Sequence, residues 1–179
     1  MILIILYTYF IQETHTQFNM EYIIKKGKHY SNWFNFPLFT TRRSIKFQFM
    51  IDSSSHYTLN NEDDYDWNKL FGLSNSWNAH ESSARLCWRR LNEEQFQVCL
   101  YVYDNGIRTI SREINLSYDT FHGARIIISR HNFYLFFRDD SIILQKESKK
   151  LFPFKLILKP YFGGTSVAPH DIKIKINVL

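Results

Sequence analysis

Hydrophobic and polar positions alternate along most of this chain. Residues 44–52 show it cleanly, with Ile45, Phe47, Phe49 and Ile51 taking every second place. A period of two marks a strand with one buried and one wet face. Residues 83–113 carry the same signal three times and read as three antiparallel strands. Asn92-Glu93-Glu94 separates the first two runs, and Asp104-Asn105-Gly106 the last two. Asn-Gly accepts the positive φ angles of a tight hairpin. With Glu93 central in the first turn, Cys87 stands opposite Cys99. Ala84, Leu86, Trp88, Phe96, Val98 and Leu100 then share a buried face, and Arg85, Arg89, Gln97, Tyr101 and Tyr103 share the other.

Further strands are predicted over 21–26, 124–129, 133–138, 142–145, 155–159 and 171–178, with turns at Arg130-His131-Asn132 and Asp139-Asp140-Ser141. Residues 27–41 read as a loop whose Trp33, Phe34, Phe36 and Phe39 surround Pro37. So many aromatics predict that it folds over a core edge. Residues 53–79 read as a long irregular stretch, ordered by Trp67, Leu70, Phe71 and Leu73, with at most one helical turn near residues 66–71. About ten strands at short spacing, with no crossover helices, predict an all-β fold, an antiparallel β-sandwich.

Residues 1–11, MILIILYTYFI, are apolar but too short to span a bilayer. They lack the basic leader and small-residue cleavage site of a secretory signal. The expected domain is therefore residues 20–179, with 1–19 an extension or an unused upstream start; an added edge strand or a weak membrane anchor is the competing reading. The length suits one domain. The net charge of +5 is spread along strands and turns, which argues against a nucleic-acid partner. Two mid-strand cysteines are too few for a disulfide framework and read as free thiols in a reducing compartment, which favours the cytoplasm.

Several segments together carry a resemblance: IIKKGKHYS, NKLFGLS, HESSARLCWR, YVYDNGIR and LKPYFGGTSVAPHDIKIKI. The chain resembles a group of small Bacteroidota proteins over most of residues 20–179. The resemblance implies a jelly-roll, concanavalin-like sandwich similar to legume lectins and laminarinases, and implies no particular activity. Where that group has two adjacent histidines, this chain has Ala79-His80, so a role built on a histidine pair does not transfer.

Catalytic patterns are sparse. A retaining glycosidase needs two carboxylates roughly 5 Å apart, and no strand carries the alternating acids of sandwich glucanases. Glu62, Asp63, Asp64 and Asp66 read as solvated loop acids, and Asp139-Asp140 as a turn. His80, His122 and His170 stand at strand ends, where structural roles are common; His80 and His170 meet only if their strands do. Nucleophile-elbow, phosphate-loop and paired-cysteine metal motifs are missing from the sequence, and no cofactor or metal is expected. Gly163-Gly164 and Pro169 read as a bend before the closing strand.

Binding has more to build on. Arg85, Arg89, Tyr101 and Tyr103, with His80 and Trp77 at the rim, combine stacking surfaces with guanidinium donors suited to sugars, uronates or other anionic polymers. An ordinary amphipathic sheet face also looks like this. Three classes follow: a non-catalytic glycan-binding module; a polysaccharide-active enzyme, either a hydrolase or a lyase with Tyr101 or His80 as base and an arginine on the uronate; and an assembly protein of a virion or cell surface.

Overall fold

The computed structural model describes residues 18–32 and 37–179 of the chain. Its strands, numbered in chain order, form two antiparallel sheets. The first sheet runs β1 (Phe18–Ile24), β13 (Ile172–Val178), β3 (Ser44–Ile51), β9 (His122–Ile128), β10 (Asn132–Phe137) and β11 (Asp140–Gln145). The second runs β2 (Leu38–Thr40), β12 (Lys155–Leu158), β4 (Asn68–Ser74), β5 (Ser82–Arg90), β6 (Gln95–Asp104) and β7 (Ile107–Ile110), and β8 (Ile114–Ser117) also pairs with β6. Among the described residues no helix is long and apolar enough to cross a membrane.

The core lies between the sheets and is built by the alternating residues. Phe47 and Phe49 of β3 meet Phe71 of β4 and Phe96 of β6 at ring-centre distances of 5.1 and 6.5 Å. Trp88 packs edge-on against Tyr57 at 5.8 Å, and Tyr57 against Phe162 at 4.9 Å. Tilted and edge-to-face rings of this kind add to the gain from burial.

The central meander has the expected register. Cys87 pairs with Cys99, Arg85 with Tyr101, and Arg89 with Gln97. Asn105 and Gly106 take φ of 50° and 79°, which suits a two-residue hairpin turn twisted in the same sense as its strands.

Other expectations need correction. β1 begins at Phe18, because its ladder with β13 runs from Phe18 opposite Val178 to Ile24 opposite Ile172. Residues 53–79 are not one irregular stretch: they hold two short 3-10 turns, Ser53–Ser55 and Glu62–Tyr65, and the strand β4. A bulge between Lys69 and Phe71 turns Leu70 and Phe71 both inward, and so erases the alternation that would have marked this strand. Phe39 does not cover a core edge; it sits on edge strand β2 and is 48% exposed. The β10–β11 turn falls one residue earlier than expected, on Arg138 and Asp139, with Arg138 at φ 54° and Asp140 already paired with Phe137. The expectations for residues 1–17 and for Trp33, Phe34 and Phe36 fall outside the described residues.

Candidate functional site

The outer face of the second sheet holds a cleft of about 600 Å³, within the size range of small-molecule sites. Arg85 and Tyr101 contribute from the β5–β6 hairpin, with Tyr103 and His80 at its end. The opposite wall comes from β12 and the segment after it, through Leu158, Lys159 and Tyr161. Lys69 of β4 lies between them, and Tyr30 closes one end. No carboxylate side chain is among the described residues that line the cleft.

The hairpin places its share by parity alone. Arg85, Tyr101 and Tyr103 are out-facing because Leu86, Leu100 and Val102 are in-facing. The far wall depends on a long-range bridge. Lys69 N–H donates to the Tyr161 carbonyl at 2.8 Å, and Tyr161 N–H returns the bond to Lys69 at 2.9 Å. The Tyr161 ring stacks on His29 at 5.2 Å and takes Tyr30 edge-on at 5.1 Å. Gly163, at φ 72°, donates its N–H to Asn68 Oδ1 at 2.6 Å, which holds this wall to the start of β4.

Aromatic and cationic groups interlock in the cleft. Tyr103 packs on His80 at 4.9 Å and on Tyr101 at 5.7 Å. The Tyr101 hydroxyl lies beside Tyr103 and Arg108, and burial pushes its pKa up to about 12. It is therefore a neutral donor at physiological pH, and an unsuitable resting-state base. Lys69 Nζ donates to the Trp67 carbonyl at 2.6 Å and sits 5.2 Å above the Tyr101 ring. Burial works against the positive charges of Arg85 and Lys159, lowering both pKa values.

Of the six residues read from the sequence, His80, Arg85, Tyr101 and Tyr103 line the cleft. Arg89 shares their face but is committed elsewhere. It stacks over Trp67 at 4.4 Å, donates to Gln97 Oε1 at 2.9 Å and pairs with Glu113 at 3.3 Å. Trp77 is 82% exposed and packs edge-on against Phe39 at 5.5 Å, in a separate hollow of about 230 Å³ with Phe152 and Phe154. Tyr30, Lys69 and Tyr161 were missed. The only sequence signal for Tyr161 is an aromatic two residues before Gly163-Gly164. His122 is buried with Nε2 3.0 Å from the Ser117 carbonyl, and His170 precedes β13 of the other sheet.

Deeper on the same face, Cys87 and Cys99 are buried and unpaired beneath Trp67, Tyr101 and Ile110. Burial pushes the Cys87 thiol up to about 12 and raises Cys99 as well, so both stay protonated and unreactive. A thiol-reactive dye added to the native protein is expected to label neither cysteine until the protein unfolds, and then both. Fast labelling of either in the native state would show that this face opens.

No family model and no curated protein matches the chain. Solved structures do. A family 16 glycoside hydrolase of Bacteroides ovatus, from a mixed-linkage-glucan locus and in complex with a G4G4G3G product, aligns over 92% of this chain and 81% of its own, at 10% identity and a TM-score of 0.51. The catalytic domain of an endo-1,3-β-glucanase (laminarinase) from Thermotoga petrophila aligns over 89% and 76%, at 12% identity and a TM-score of 0.52. A protein described as a native glycosidic hydrolase aligns over 90% and 77%, at 8% identity and a TM-score of 0.52. The chain is an antiparallel β-sandwich of the concanavalin-like, jelly-roll type. At these identities the likeness is one of fold.

Proposed function

We propose that the chain is a carbohydrate-binding module whose ligand lies in the cleft on the outer face of the second sheet. The observation that carries this reading is the lining itself. Tyrosine rings from β6, from Tyr30 and from Tyr161 surround the cleft, with cations between them and no carboxylate among the described lining residues. Aromatic faces with a few fixed polar groups suit sugar rings, whereas hydrolysis by paired carboxylates needs acids that this lining does not offer. The two similar structures with glucan substrates in their names agree with a glycan as the ligand.

A thermal-shift screen of the whole chain against neutral and acidic polysaccharides tests this, because a ligand that binds only the native state raises the melting temperature. Tyr103→Ala and Tyr161→Ala are each expected to weaken a hit by about three- to tenfold, the worth of one aromatic contact. If no polysaccharide shifts the protein near saturation, the binding reading falls.

An assembly role has one observation of its own. Trp77, Phe154, Phe39 and Phe152 are 82%, 62%, 48% and 44% exposed around one hollow, and clustered exposed aromatics favour association. If that role is right, the protein is an oligomer by light scattering, and Trp77→Ser with Phe154→Ser returns it to a monomer.

A further inference from the structure

Among the described residues, the buried or half-buried cations Arg90, Lys146 and Lys155 each have a protein acceptor, whereas Nε and Nη2 of Arg85 have none. Arg90, on the opposite face of the same strand, is paired with Asp64. Lys146 lies 3.6 Å from Asp104, and Lys155 donates to the Phe152 carbonyl. Arg85 is only 8% exposed, and its Nε and Nη2 have no hydrogen-bond partner. A buried charge without a counter-charge is costly, and a folded chain removes it unless something from outside completes it. The surroundings agree in sign. Lys69 and Lys159 line the same cleft, and no described lining residue is acidic.

We infer that the ligand of this cleft is an acidic sugar, whose carboxylate or sulfate oxygens are received by Arg85. This rests on the carbohydrate-binding reading above and adds the chemical class. A planar guanidinium presents two parallel N–H donors that match two oxygens of one oxyanion, and a desolvated site strengthens such a pair. Lys69 adds a second positive charge, held in place by the Trp67 carbonyl and the Tyr101 ring. Tyr103 and Tyr161 supply faces for the sugar ring that carries the anion.

Isothermal titration of the whole chain with three oligosaccharide sets of matched length tests the inference: uronic-acid oligomers, the same oligomers after carboxyl reduction, and sulfated neutral oligomers. Binding of an acidic set, with a loss of more than about tenfold on carboxyl reduction or desulfation, is the expected result. The tighter of the two acidic sets identifies the source of the oxyanion. Arg85→Met is expected to lose most of the preference for acidic over neutral forms, keeping only the part due to Lys69 and Lys159, and its ligand-free melting temperature is expected not to fall, since the substitution removes an unanswered charge. Arg85→Lys keeps the charge without the fork and is expected to be intermediate.

Equal binding of acidic and reduced oligomers would overturn the acidic class and leave the carbohydrate-binding reading standing. Binding of no set would overturn both. A fully retained acid preference in Arg85→Met, or a marked loss of its ligand-free stability, would show that Arg85 is not the receiving group.

Discussion

Asp64→Ala is expected to destabilise the protein by about 3 kcal/mol, with a fall in melting temperature of roughly 6–12 °C for a domain of this size. Asp64 sits in the 3-10 turn Glu62–Tyr65, which its ion pair ties to Arg90 at the end of β5. Its side chain is 8% exposed and that of Arg90 15%. One carboxylate oxygen accepts from Arg90 Nε at 3.1 Å and the other from Nη2, while Leu59 N–H donates to Oδ1 at 2.8 Å. The Arg90 guanidinium also lies 5.1 Å from the centre of the Tyr65 ring. Removing the acid alone strands a charge that the fold has largely desolvated. Replacing both partners, in Asp64→Ala with Arg90→Met, is expected to recover most of the loss. A single variant that costs under about 1 kcal/mol would show that the pair behaves like an exposed one.

The same pair sets the direction of the pH response. The hydrogen bond to Arg90 holds the Asp64 pKa below the usual carboxylate range. The folded state therefore binds this proton less readily than the unfolded state, and the stabilisation is present above about pH 4 and lost as the pH falls further. His122 acts in the same sense. Burial lowers its pKa, so stability is lost as the pH falls below about 6.5, where the unfolded histidine takes up a proton more readily. Urea melts from pH 7 to pH 3 are expected to show a decline that begins near pH 6.5 and steepens below about pH 4. In Asp64→Ala the steep part shrinks and the shallow part stays.

How far these features were legible in the sequence depended on whether their causes were local. The β5–β6 hairpin was readable because its turn and its period-two pattern fix the register together, and the register decides which side chains leave the core. Arg85, Tyr101 and Tyr103 followed from that, and the cleft does gather them. β4 was not readable. Its bulge turns Leu70 and Phe71 the same way, and Lys69, which the bulge leaves facing the cleft, lost its marker as a site residue. Tyr161 reaches Lys69 through backbone bonds across 92 residues of chain, and no local pattern announces such a contact. Trp77 misled by its chemistry: an indole beside His80 suits a sugar-binding rim, but its ring packs against Phe39 of edge strand β2. Asp64 misled in the opposite sense. Within the run Asn60-Asn61-Glu62-Asp63-Asp64 every residue looks solvated, yet the turn buries this acid against Arg90 while Asp63 accepts from Thr165 and Ser166.

Gly72→Ala is expected to cost about 3 kcal/mol and to weaken ligand binding at the same time. Gly72 lies directly after the bulge in β4, opposite Arg85 on one side and Leu158 on the other, both of which line the cleft. A Cβ built there would stand 2.2 Å from the Ala84 carbonyl oxygen, 2.5 Å from Arg85 Cα and 2.7 Å from Arg85 Cβ. The first two contacts are with backbone, so relief requires the β4–β5 ladder to part. Replacing glycine by alanine in a compatible strand gains stability through the unfolded chain, by at most about 1 kcal/mol. Here the clash outweighs that gain. Gly123 provides the control. It lies in β9, has nothing within 4 Å of a built Cβ, and is not one of the positive-φ glycines. Gly123→Ala is therefore expected to be neutral or slightly stabilising. Denaturant melts of the two variants decide the matter. A Gly72→Ala protein as stable as wild type would mean that the β4–β5 approach is loose and that Arg85 is not held at a fixed place in the cleft. A destabilised variant with unchanged affinity would separate the packing of these strands from the binding site they carry.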